Sequence, residues 1–203
     1  MKLYNSMGPN PHIVRMFAAE LDMPLELVEI DLRAGENRQP EYLARNPAGQ
    51  LPALELDSGE IIAEVTAICE YLDELSPMTL LGDTPAERAQ TRMWTRRLDL
   101  LICEPMLNGF RYAEGLPIFQ DRMITIPEAA PGLKRIAQDR LNWLDEQMAD
   151  RREFVTGSRF TLADVFLYCM LTFGNRIGQP ISQEHARVAA WYERIAARPS
   201  AAA

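Results

Sequence analysis

Histidine, cysteine and long apolar runs are all scarce in this chain of 203 residues. The two histidines, His12 and His185, and the three cysteines, Cys69, Cys103 and Cys169, are scattered, with no Cys-x-x-Cys spacing. That distribution excludes the usual nitrogen and sulfur ligand sets for zinc, so no metal is expected. It also excludes a disulfide frame; the cysteines read as small buried hydrophobes of a reducing compartment. No apolar run reaches the roughly 18 residues of a membrane span, and the opening Met1-Lys2-Leu3-Tyr4 lacks a signal-peptide core. A Gly-rich phosphate loop, a Gly-x-Ser-x-Gly elbow and internal repeats are missing too. Positive charge is the minority: 21 Lys and Arg against 29 Asp and Glu leave a net −8. Such a chain repels phosphate backbones and anionic lipid. A cytoplasmic protein with no nucleic-acid or membrane partner is expected.

What is present is ordinary globular composition, 47% hydrophobic and 25% charged, with length for one large domain or two small ones. Residues 1–76 alternate strand and helix signals. Lys2–Asn5 is strand-like. Asn10 then reads as the cap of a helix opening at Pro11, with Ile13, Val14, Phe17 and Leu21 at helical spacing. Leu25–Ile30 reads as a second strand, and Gln39–Arg45 as a short helix closed by the turn Asn46-Pro47-Ala48-Gly49. Short strands at Ala53–Leu56 and Ile61–Ala63 flank Asp57-Ser58-Gly59, and Ile68, Tyr71, Leu72 and Leu75 mark one buried helical face. The order is βαβαββα, a mixed sheet with helices on its faces.

Residues 77–84 read as a linker, and strand signals vanish from 85 to 203. Thr84-Pro85-Ala86-Glu87 is a capping box for a long helix, and Thr161-Leu162-Ala163-Asp164 caps a segment that is apolar all round, the expected central helix of an all-α bundle. Gly115–Gly132, holding Pro117, Pro127 and Pro131, has the least legible pattern.

Three local features could carry chemistry. Pro52 opens a strand, where it either ends a loop in the trans form or, in the cis form, turns the Leu51 backbone toward an extended ligand. Ala63-Glu64-Val65-Thr66 joins a strand to a helix N-terminus, whose amides favour a carboxylate unless Thr66 simply caps them. Gly35-Glu36-Asn37-Arg38 is a polar loop in which Arg38 either grips an anion or faces solvent.

Together these segments resemble the cytosolic glutathione transferases over nearly the whole chain. The marks are Asn46-Pro47-Ala48-Gly49-Gln50-Leu51-Pro52, the acidic Glu64 before the third helix, and Thr161-x-Ala-Asp164, in the family's order and spacing. The Gly-Glu-Asn-Arg loop and the strand Leu54-Glu55-Leu56-Asp57 are similar to a branch shared by bacteria and fungi. The resemblance implies a thioredoxin-like glutathione-binding domain followed by an all-α helical-bundle domain, and glutathione as co-substrate. It implies that Leu51, held by a cis Pro52, pairs with the cysteinyl unit. Val65 and Thr66 would take the γ-glutamyl carboxylate, Glu64 the ammonium, and Asn37 and Arg38 the glycyl carboxylate, with Gln50 in reach.

Two positions depart from the family pattern. Val65 stands where a serine is usual, and the thiolate-stabilising positions after the first strand hold Pro9 and Asn10. A thiol of pKa about 8.5 needs roughly 2.7 kcal/mol of thiolate preference for a two-unit drop. One charge-assisted hydrogen bond, at about 1.5–3 kcal/mol, covers most of that. Asn10, or a main-chain donor beside it, is the expected donor, with Ser6 second. The electrophile, an apolar small molecule, is expected at the domain junction, against Met7 and Pro9 and against Phe110, Arg111 and Tyr112. The resemblance also implies a homodimer. Conjugation is the leading activity; glutathione-dependent peroxidase, isomerase or dehalogenase chemistry, and a non-catalytic binding or scaffold module, are the alternatives.

Overall fold

The computed structural model describes residues 1–203 and divides into two compact units: Met1–Leu81 with Pro199–Ala203, and Gly82–Arg198. The first unit runs β1 (Lys2–Asn5), α1 (Pro9–Glu20), β2 (Glu26–Glu29), α2 (Pro40–Leu43), β3 (Ala53–Glu55), β4 (Ile61–Ala63) and α3 (Val65–Leu75). It is a thioredoxin-like βαβαββα unit. The strand order is β2-β1-β3-β4, with β1 and β2 parallel and β3 antiparallel to both β1 and β4. The sheet is mixed because the α1 crossover returns β2 parallel to β1, while the tight turn at Asp57–Gly59 can only reverse direction. Leu3 and Leu54 on the sheet, with Ile13, Val14, Met16 and Phe17 from α1 and Ile68 and Leu72 from α3, are fully buried. A smaller cluster of Tyr4, Tyr42, Leu51 and Ala53 packs with Val28, Ile30, Leu32 and Ile61.

The second unit is all-α: α4 (Pro85–Leu98), α5 (Glu104–Arg111), α6 (Leu116–Phe119), α7 (Ala130–Gln147), α8 (Leu162–Arg176) and α9 (Ala186–Ala196). Thr84 and Glu87 form the anticipated capping box at α4. At α8, Asp164 is completely buried and accepts from the backbone N–H of Val155 (2.8 Å) and Thr161 (2.9 Å) and from the Trp191 indole (2.9 Å). One carboxylate thereby ties the preceding loop, the start of α8 and α9 together. All three cysteines are buried and unpaired as disulfides. No helix is long and apolar enough to cross a membrane.

Two local expectations are corrected. α1 starts at Pro9, with Gly8 as its N-cap and no side-chain cap, so Asn10 is the second helical residue and not the cap. The long helix from Pro85 is interrupted at Asp99–Cys103 by a π turn, where the Glu104 N–H bonds back to Asp99. The reason is Pro105: it has no N–H for the Leu101 carbonyl, so the helix widens by one residue there. Within residues 77–84, the expected linker, Thr79 and Leu80 are bonded to α3. Buried Asp73 accepts from the Leu80 N–H (2.6 Å) and the Thr79 hydroxyl (2.7 Å). The closing turn, Pro199–Ala202, returns to α1: the Ser200 hydroxyl bonds Glu20, and His12 Nε2 lies 3.2 Å from the Ala201 carbonyl.

Candidate active site

The sheet register gathers the candidate residues of the first unit. Tyr4 on β1 pairs with Ala53 on β3, and Ala53 pairs with Ala63 on β4. β1 and β4 both run toward this end of the sheet and β3 starts from it. Ser6–Asn10, Gln50–Pro52 and Glu64–Thr66 therefore converge at one edge, although they are far apart in sequence. β2, parallel to β1, ends there too, and its continuation at Ile30 donates to the Asn5 carbonyl at 2.8 Å. The loop carrying Asn37 and Arg38 follows.

At the β4–α3 junction, Glu64 has φ +70° and ψ 125°, a left-handed conformation that is uncommon for a residue with a side chain. Its carboxylate is exposed and makes no cap bond. The first helical bond of α3 is Ile68 N–H to the Glu64 carbonyl, 2.9 Å. The amides of Val65, Thr66 and Ala67 thus have no acceptor within the helix, as at any helix start. Free amides suited to an anion therefore lie beside an exposed carboxylate suited to a cation.

The Leu51–Pro52 peptide is cis. Just before it, the Gln50 carbonyl is clamped by the Tyr42 hydroxyl (2.6 Å) and Asn46 Nδ2 (2.9 Å). Burial pushes the Tyr42 phenol up to about 12, so it stays a donor through the physiological range. Asn46 Oδ1 also accepts from Ala48 N–H at 3.2 Å, which folds the 46–50 turn over its own clamp.

Asn37 is buried, and its Nδ2 donates to the Gly49 carbonyl at 2.6 Å, while its Oδ1 is buried without a partner. Gly49 has φ +62°, and a Cβ there would lie 3.0 Å from the Asn37 carbonyl. Only glycine lets the two loops close like this. Arg38 is exposed, with Nη1 3.4 Å from the Ala48 carbonyl.

The start of α1 presents one backbone donor. Pro9 and Pro11 have no N–H, and the His12 N–H is directed at the Gly8 carbonyl (3.4 Å), so the amide of Asn10 stands alone. Ser6 is buried and Met7 is 72% exposed. Tyr4 is no rival donor. Its hydroxyl is committed to Glu55 Oε2 at 2.5 Å, and burial raises its pKa.

Phe110, Arg111 and Tyr112 close α5 in the second unit. The Phe110 ring meets Phe173 and Phe119 edge-on, with centroids at 5.2 Å and 6.3 Å. Arg111 Nη1 donates to Asn108 Oδ1 at 2.9 Å, and its guanidinium lies 5.8 Å from the Phe119 ring centroid. Tyr112 is half-buried at the helix C-cap. No group of three or more His, Cys, Asp or Glu is placed to hold a metal.

Sequence reasoning missed the double clamp on Gln50, the left-handed Glu64 and the single amide of α1. The last was signalled by Pro9-Asn10-Pro11, since proline favours the first helical position and Pro9 comes first.

A thioredoxin-like βαβαββα unit followed by an all-α unit defines the cytosolic glutathione transferase class. Residues 1–74 match the family model "Glutathione S-transferase, N-terminal domain" and residues 127–194 match "Glutathione S-transferase, C-terminal domain". Glutathione S-transferase 2 of Saccharomyces cerevisiae is 34% identical over 201 residues, covering 95% of this chain and 84% of that protein. Glutathione S-transferase GstA of Escherichia coli O157:H7 is 30% identical, covering 98% and 94%. Among solved structures, Gtt2 from S. cerevisiae superposes with a TM-score of 0.92 at 33% identity, covering 100% of this chain and 99% of that one. A glutathione S-transferase domain-containing protein of Marinobacter aquaeolei gives 0.93 at 35%, covering 99% and 100%. The chain belongs to the glutathione S-transferase family and is a transferase enzyme.

Proposed function

We propose that this enzyme joins the glutathione thiolate to apolar electrophilic small molecules, with the tripeptide laid along the end of the sheet. The γ-glutamyl carboxylate sits on the amides of Val65 and Thr66, and its ammonium meets Glu64. The cysteinyl unit pairs with the Leu51 main chain, which Gln50 and Pro52 flank. The glycyl carboxylate faces Arg38, while Asn37 shapes that pocket from beneath. The thiolate accepts from Asn10, through its amide N–H or side chain, with Ser6 as the alternative donor. Met7 and Pro9, beside the thiolate donor, serve the electrophile.

The observation that carries this reading is the convergence at one sheet end of a carboxylate receptor, an extended-peptide edge and a lone amide at a helix start. A thiol near that amide gains a charge-assisted bond of about 1.5–3 kcal/mol and a helix-end contribution of about 0.3–1 kcal/mol. Together these are enough for a drop of about two pKa units. The test is titration of the bound thiol by its ultraviolet absorbance, in the native enzyme and in Asn10→Ala. We expect a lowered thiol pKa in the native enzyme. Replacement by alanine then separates the side chain, which is lost, from the N–H, which is kept. A bound thiol that titrates like free glutathione would remove this thiolate mechanism, and binding without turnover of a chlorodinitrobenzene-type substrate would favour a scaffold.

The same proposal includes a cytoplasmic homodimer acting in detoxification. Exposed Leu75 and Met78, and exposed Met93 and Leu100, supply apolar surface of the kind that subunit contacts cover. Sedimentation at low micromolar concentration checks the assembly.

A further inference from the structure

We propose that Asn5 is a positioning residue for thiolate formation, acting through α1 on the Asn10 amide; this rests on the function proposed above. Asn5 ends β1 and is buried at 6% exposure. Its side chain is used at both ends. Nδ2 donates to Glu29 Oε1 on β2 (2.5 Å), and Oδ1 accepts from Arg15 Nη1 on α1 (2.5 Å). Its carbonyl also takes the Ile30 N–H. One residue therefore locks the end of β1 to the end of β2 and to the second turn of the helix. Only Ser6, Met7 and Gly8 separate it from that helix.

An ordinary helix start offers several amides, so a small tilt brings another donor to the ligand. Here Pro9 and Pro11 leave one. Asn10 lies five residues before Arg15, about 7.5 Å along the axis. A tilt of about 10° around the Arg15 anchor would move the Asn10 amide by about 1.3 Å, the difference between a hydrogen bond and none. Apolar packing of Ile13, Val14 and Phe17 holds α1 on the sheet, but it is non-directional. The Arg15–Asn5–Glu29 chain ties the helix to the strand ends in a fixed direction, while the Ser200–Glu20 and His12–Ala201 bonds hold it to the closing turn. A helix with a single donor needs such a fixture.

The experiment measures three quantities in the full chain for the native enzyme, Asn5→Ala and Arg15→Met. These are glutathione affinity by calorimetry, the pKa of the bound thiol by ultraviolet titration, and the pH profile of kcat/KM. Either variant should raise the bound-thiol pKa by about one unit. Turnover would then fall about tenfold below the native pKa and recover as pH rises above the new one. Glutathione affinity should stay within about twofold, because the receptors at Glu64–Thr66 and Leu51 are untouched. Arg15→Met breaks the chain from the helix side, so it serves if Asn5→Ala does not fold. A native thiol pKa that is lowered, yet unmoved in a folded variant that has lost only thermal stability, would overturn this proposal alone. A native thiol that titrates like free glutathione would overturn it together with the mechanism beneath it.

Discussion

The substitution Asp164→Asn removes a charge from a site without solvent. The Asp164 Oδ1 accepts from Val155 N–H (2.8 Å) and the Trp191 indole (2.9 Å), and its Oδ2 accepts from the Thr161 N–H (2.9 Å) and hydroxyl (3.1 Å). Burial nevertheless outweighs these four donors and pushes the acid up to about 6 from 3.8. Of the four, only the Thr161 hydroxyl can reverse and accept, so the proton goes to Oδ2. A shift of about two units corresponds to roughly 3 kcal/mol in favour of the protonated fold. The folded pKa lies above the unfolded one, so this stability is fully present below about pH 4 and is lost as pH rises through about 6. The amide of the variant would not titrate. At pH 7 the variant loses about 1–3 kcal/mol, because its NH2 confronts a donor that the carboxylate had satisfied. At pH 4 the deficit grows by roughly 3 kcal/mol. Urea unfolding at several pH values measures both, followed by the fluorescence of Trp94, Trp143 and Trp191, all in the second unit. Groups common to both proteins cancel in the difference. A deficit that instead widens with rising pH would refute the reasoning, since it would mean that the buried anion is the preferred form.

Glu64→Gly should raise stability by about 1 kcal/mol, since glycine adopts φ +70° without strain, while weakening glutathione binding several-fold through loss of the ammonium partner. Thermal melting and calorimetry on one sample would show the two effects in opposite directions; a loss of both would count against strain at Glu64. Tyr42→Phe should cost about 0.5–1.5 kcal/mol, because Asn46 still holds the Gln50 carbonyl. The double variant Tyr42→Phe with Asn46→Ala should cost more than the sum and raise KM for glutathione more than it lowers kcat. Strict additivity in steady-state kinetics and unfolding would argue against a shared clamp.

The alternation of short apolar strands with helical spacing was legible up to residue 76, because each strand and helix is defined by neighbours within a few residues. Both capping boxes were legible for the same reason: Thr84 with Glu87, and Thr161 with Asp164, are local pairs. The all-apolar Val165–Leu171 stretch announced a central helix, and every residue in it is buried. The π turn was harder to see. Pro105 was visible, but whether a helix kinks, breaks or widens around a missing N–H depends on what its flanks pack against. The start of α1 was misjudged because Asn10 has good capping chemistry and Gly8 has none, yet the chain leaves β1 in a direction that only a glycine at φ +144° accommodates.

Composition and local pattern by themselves settled the class of chain, the order of the elements in the first unit and the family marks, since these depend on side-chain type and on spacings shorter than a helix. Which atoms face one another came from the sheet alone. The pairing of Tyr4 with Ala53 and of Ala53 with Ala63 brings residues 6–10, 50–52 and 64–66 to one end, although long stretches of chain separate them. The same holds for the Arg15–Asn5–Glu29 chain, whereas the clamp on Gln50 closes within residues 42–50. Hydrogen bonds between distant segments take their geometry from strand register and helix placement, and no window of sequence contains either.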